Sequence, residues 1–147
     1  MILKQTYVFF FLTLFFVNCS NHETEDTPNT LSTNKEKWFN ASVVDYTYVF
    51  QISCYCIEES TRPKSVLVRN GLIVNVNNEN FNEETHSDIL TIDDLFSEIQ
   101  KATNQGAAKL DVSYDTIYGF PFYLFIDRDI RIADEEISYS VSNFKPL

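Results

Sequence analysis

The chain has 147 residues, 44% hydrophobic and 22% charged, with three glycines and four prolines, which excludes collagen-like repeats and low-complexity disorder and makes one domain the natural count. Eleven lysines and arginines stand against 21 aspartates and glutamates, a formal charge of −10. Such acidity argues against a groove tracking nucleic-acid phosphates, so nucleic acid is not an expected partner.

Tyr7 to Val17 is apolar except for Thr13. The run is too short for a membrane-spanning helix, which needs about twenty residues. It shows no polar face, as a buried core helix would. It reads as the central region of a secretory signal peptide. Phe16-Val17-Asn18-Cys19 follows, and it resembles the lipobox of bacterial lipoproteins, with Asn18 where those families usually place Gly, Ala or Ser. The resemblance implies cleavage after residue 18 and a lipid on the Cys19 sulfur. Loss of Lys4 with the leader takes the charge to −11. The acidic tract Ser20 to Asp26 is similar to surface-export signals of some Gram-negative lipoproteins, which implies an exported, outer-membrane-anchored chain exposed at the surface. The polar stretch as far as residue 33 reads as a flexible tether, leaving 34–147 as the folded domain.

Asn34 to about Val44 has the marks of a short helix, with Asn34 as cap and Trp38, Phe39 and Ala41 to Val43 on its buried side. Tyr46, Tyr48, Phe50, Ile52, Cys54 and Cys56 recur with period two, which predicts a strand with one buried face. Lys64 to Arg69 and Leu72 to Val76 flank Asn70-Gly71, a two-residue turn signal that sets Val68 opposite Ile73. Asn75 to Asp88 is polar and Asn-rich, and reads as an exposed loop. Thr91 opens a second helix as N-cap, Asp93 and Asp94 suit its first turn, and Ile92, Leu95, Phe96 and Ile99 form its apolar face. Gly106 closes it. Leu110, Val112 and Tyr114 mark a fourth strand, Phe122 to Asp127 a fifth and Glu136 to Phe144 a sixth. The order of helix and three strands, twice, predicts an α+β fold: a mostly antiparallel sheet of about six strands with two helices on one face.

Trp38, Tyr46-x-Tyr48, Cys54-x-Cys56, Val66-x-Val68-x-Asn70-Gly71 and Thr91 to Phe96 come in that order. Asp111 to Asp115, Tyr118 to Pro121, and Ile126-Asp127 leading to Ala133-Asp134-Glu135-Glu136 continue it. Together they resemble the bacterial secreted and lipoprotein domains grouped as domain of unknown function 6174, over about residues 38 to 144. The resemblance implies an exported, often lipid-anchored domain without a defined reaction.

With Cys19 lipidated, Cys54 and Cys56 remain as one pair in an oxidising compartment. Regular strand geometry holds the Cβ atoms of i and i+2 residues farther apart than a relaxed disulfide allows, so closure needs a bulge or bend. The pair reads as a structural bridge at the strand end. The alternative is a thiol-redox site, although no helix-borne Cys-x-x-Cys is present. Zinc lacks nearby histidines. Asp127, Asp129 and Asp134 are hard oxygen donors of the kind calcium takes, but Arg131 breaks the EF-hand spacing and solvated loop charge is the preferred reading. His22 and His86 lie in polar segments and no nucleophile elbow is present, so hydrolytic chemistry is unsupported. Tyr118, Gly119, Phe120 and Pro121 form a rigid aromatic turn, read as core packing first and as a partner-binding turn second. The sequence therefore predicts a binding module with no cofactor, tied to a membrane by its lipid, with an envelope protein or peptide as partner.

Overall fold

Tyr46, Tyr48, Phe50 and Ile52 alternate along strand β1 (Tyr46–Cys54) and all four are buried, while Gln51 and Ser53, on either side of Ile52, face solvent. This is the period-two pattern realised around a core. The computed structural model describes residues 28–147. The leader, Cys19 and the acidic tract lie outside the described residues. In order after β1 come helix α2 (Glu58–Thr61), strands β2 (Lys64–Arg69), β3 (Leu72–Val76) and β4 (Glu79–Asn80), and helices α3 (Glu83–His86) and α4 (Ile92–Gln105). Strands β5 (Lys109–Tyr114), β6 (Pro121–Asp127) and β7 (Ile137–Pro146) complete the sheet, and helix α1 (Pro28–Ala41) precedes it.

The class is α+β, as expected, but the sheet has seven strands in the order β4-β3-β2-β1-β7-β6-β5, each pair of neighbours being antiparallel. The seventh strand comes from the segment read as a loop. Asn77 and Asn78 both adopt positive φ, at 50° and 68°, and turn the chain so that Glu79 pairs with Val76. Asparagine tolerates the left-handed region better than most residues. Of the four helices among the described residues, α2 and α3 are single turns without a mark in the sequence.

The helix expected from Asn34 begins at Pro28, where a proline loses no helical bond. Residues 28–33, assigned to the tether, are therefore helical, and Leu31 is buried. Asn34 is no cap but lies mid-helix, its side-chain amide donating to the Thr30 carbonyl at 2.9 Å. Trp38 is buried as expected, whereas Phe39 points to solvent. The long helices α1 and α4 both meet Tyr46: Trp38 stands edge-on to its ring at 5.6 Å, and its hydroxyl accepts the Ile92 N–H at 3.2 Å.

The Asn70-Gly71 hairpin has both φ angles positive, at 50° and 75°, and Val68 pairs with Ile73. Thr91 and Asp94 form a reciprocal capping box at the start of α4, and Gly106 ends it at φ 67°. Along β7 the register slips between Lys145 opposite Thr47 and Ser142 opposite Val49. Asn143, at φ 53°, forms this bulge. Tyr139 and Val141 face the core before it, and the extra residue returns Phe144 to the same side, against Phe120 at 4.4 Å and Trp38 at 5.9 Å.

Candidate functional site

Strand β1 ends at Cys54 rather than Cys56, and the chain bends through Tyr55 and Cys56. That bend brings the two sulfurs to bonding distance, with the Cα atoms 5.2 Å apart, within the usual disulfide range. Cys54 is half-buried against the core and Cys56 is exposed, as are Tyr55 and Ile57. The next turn, α2, is fastened by a buried cation. Lys64 Nζ donates to the carbonyls of Glu59 and Ser60 at 3.3 and 3.0 Å and lies 3.6 Å from an Asp88 carboxylate oxygen. A lysine on the inward side of β2 thus spends its charge on helix-terminal carbonyls and one carboxylate.

The loop from Arg128 to Glu136 lies at the same end of the sheet, since Ile137 pairs with Cys54 and with Ile126. Asp129 clamps Arg131 at 2.6 Å and accepts its N–H, and both interactions hold its carboxyl below the ordinary range. Glu135 accepts the Asp129 N–H at 2.6 Å. Asp127 is only 8% exposed, and its Oδ1 has no hydrogen-bond partner. Burial first, then the charges of Glu135 and Glu136 and a hydrogen bond to Glu135, push its carboxyl up. Asp134, at φ 66°, is exposed. Asp129 is thus spent on Arg131 while Asp127 is buried and Asp134 faces solvent, and no group of three or more His, Cys, Asp or Glu side chains among the described residues is arranged to hold a metal ion.

At the opposite end, Asp115 builds the aromatic turn. Its Oδ1 accepts the N–H groups of Ile117 and Tyr118, its carbonyl accepts Gly119 N–H, and its own N–H donates to Phe120. Gly119 sits at φ 79°, where a Cβ would come within 2.6 Å of the Asn34 carbonyl oxygen. Only glycine lets α1 approach so closely. Phe120 and Pro121 are buried, Tyr118 packs on Phe144 at 5.4 Å, and the exposed apolar residue of the turn is Ile117. Ile117 lies just before the Tyr118 to Pro121 segment that carries the aromatic signal in the sequence.

A shallow cavity of about 250 Å³ is lined by Thr47, Ser65, Val66, Leu67, Asn75 and Asn78. It holds hydrogen-bonding groups and no titratable side chain. Two phenols are instead committed to the core. Tyr46 receives the Ile92 N–H, Tyr48 donates to the Leu90 carbonyl, and burial pushes both hydroxyls well above the ordinary tyrosine range. His86, exposed to an intermediate degree, accepts the Asn82 N–H through Nδ1.

Residues 30–146 match the family of unknown function DUF6174. The chain belongs to this family. The match begins inside α1 and ends with β7, so the DUF6174 unit coincides with the described fold rather than starting at Trp38. No curated protein and no solved structure matches the chain.

Proposed function

We propose that this DUF6174 protein is a lipid-anchored lipoprotein of the bacterial cell envelope, held at the outer membrane, whose α+β domain is a non-enzymatic binding module for an envelope protein or peptide. The observation that carries the reading is the apolar run Tyr7 to Val17 closed by Phe16-Val17-Asn18-Cys19, so near the start of α1. The binding role is supported by how polar groups are spent inside the domain. Tyr46, Tyr48, Lys64, Thr91, Asp94 and Asp115 all bond backbone groups, which leaves them to hold the fold. Cys19→Ser should move the protein from the membrane to the soluble fraction. Tight membrane retention of a processed Cys19→Ser chain would defeat the anchor, and envelope extracts passed over the lipidated protein would reveal the partner.

A second reading places thiol–disulfide exchange at Cys54–Cys56, favoured by the exposure of Cys56. The charges that follow the pair are Glu58 and Glu59, and carboxylates disfavour a reactive thiolate. We therefore expect no free thiol at these positions in the purified domain and no turnover in an insulin-reduction assay. Turnover that vanished in Cys54→Ser would transfer the function to this site.

A further inference from the structure

Exposed apolar side chains gather at the end of the sheet where β1 begins. Val44 precedes β1, Leu72 opens β3 and Leu147 follows β7, and each is more than half exposed. The Val44 carbonyl accepts the Gly71 N–H at 2.9 Å and the Asp45 carbonyl accepts the Leu147 N–H at 3.0 Å, so the three lie side by side. Phe39 on α1 and Ile117 on the aromatic turn are 79% and 72% exposed. Their elements are tied together by Lys37 Nζ, which donates to the Thr116 carbonyl.

The opposite end also shows apolar residues, Tyr55, Ile57 and Ile130, so charge has to separate the two. Around Tyr55 and Ile130 stand Glu58, Glu59, Asp129, Asp134, Glu135 and Glu136. Arg62 pairs with Glu58 and Glu59 and Arg131 with Asp129, Arg128 reaches Glu98, and Asp134, Glu135 and Glu136 have no ion-pair partner among the described residues. The Val44 end carries Lys35, a helical turn before Phe39, with Lys37, Arg69 and Lys145. Of its carboxylates, Asp45 takes the Asn70 N–H and Arg69, Asp115 takes two turn N–H groups, and Glu36, between Lys35 and Lys37, is exposed. A negatively charged bilayer therefore repels the end around Tyr55 and Ile130 more strongly than the Val44 end.

We propose that the end bearing Phe39, Val44, Leu72, Ile117 and Leu147 rests on an anionic phospholipid bilayer. Its apolar side chains enter the headgroup boundary, and its lysines lie along the phosphates. The proposal rests on the lipid-anchored reading and adds an orientation to it. Chain length enforces closeness. Because α1 begins at Pro28, only residues 20–27 separate it from Cys19, a reach of about 30 Å at ~3.3–3.6 Å per residue. A domain of about 120 residues is itself roughly 35 Å across by radius-of-gyration scaling. An anchored domain therefore stays within about its own width of the surface, where its ends are in reach of the lipid.

The test uses the full acylated chain in phosphatidylglycerol-containing vesicles with brominated acyl chains, which quench tryptophan by contact. Leu72→Trp reports from the Val44 end and Ile130→Trp from the acidic end. Both positions are exposed, so both variants should fold, while the native Trp38 is buried and gives a constant background. Bromolipid should reduce the added Leu72→Trp emission at least twofold and leave Ile130→Trp unchanged. An unquenched Leu72→Trp on a chain that floats with the vesicles would overturn the docking, leave the anchor standing and give this end to a protein partner. Equal quenching of the two variants would overturn the orientation. A chain that does not float would overturn the anchor and this proposal together.

Discussion

The Tyr46 hydroxyl accepts the Ile92 backbone N–H at 3.2 Å, so the first residue of β1 holds the first turn of α4. That N–H is one of the four at a helix start with no partner inside the helix. Ile92 and Tyr46 are both fully buried, and water cannot replace the bond. Tyr46→Phe should therefore cost about 1–3 kcal/mol in urea unfolding. A cost under ~0.5 kcal/mol would show that α4 does not need this acceptor.

Gly119 and Gly106 both adopt positive φ, but only Gly119 has a wall beside it. Gly106→Ala should cost about 1–2 kcal/mol for the left-handed backbone alone. Gly119→Ala carries the same backbone cost and also pushes a methyl into the Asn34 carbonyl, so its loss should be clearly the larger. Equal losses in parallel denaturation curves would mean that α1 shifts freely away from the turn.

Asn143 holds the bulge that turns Phe144 inward. Asn143→Val should lower stability by about 1–2 kcal/mol, since a β-branched residue resists that conformation, whereas Asn143→Gly should be close to neutral. Thermal melts of the two variants decide it, and a Val variant as stable as the Gly one would remove the bulge from the account.

The raised carboxyl of Asp127 has a definite sign in stability. A proton held more tightly in the folded chain favours folding below the ordinary aspartate value of 3.8, and this contribution falls away as pH rises from 3.8 through the higher folded value. Asp127→Asn keeps the shape without the charge. Its melting temperature should exceed that of the parent at pH 7, with the gap closing towards pH 3. A gap that does not change with pH would assign the effect to packing.

What could be read beforehand follows from how locally each feature is determined. The Asn70-Gly71 hairpin and the Thr91 to Gly106 helix carry their turn, cap and stop residues within a few positions, and both stand where the residues put them. The start of α1 was hidden because Asn29 to Thr33 is polar apart from Leu31, whose burial depends on the assembled core. The Asn77-Asn78 turn was legible in principle, as two consecutive asparagines tolerate positive φ, but the polar residues around it masked a strand only two residues long. The Asn143 bulge has a single asparagine as its local mark, inside a run that otherwise reads as strand. It is fixed by Phe144 reaching Trp38 and Phe120 across the fold. Among candidate site residues, Ile117 was missed because its exposure follows from Asp115 gathering the turn around itself, a matter of hydrogen bonding rather than of residue type.

The pairing of β1 with β7 sets an order of events. The central strand, whose residues 46–54 pair over most of their length with residues 137–146, lacks one of its two neighbours until the end of the chain arrives. A polypeptide that emerges progressively, from a ribosome or through a translocation pore, can form the 64–76 hairpin early but cannot close its core around Trp38 until Phe144 is out. The slow, long-range step comes last by construction, which keeps the emerging chain threadable until it is almost fully delivered.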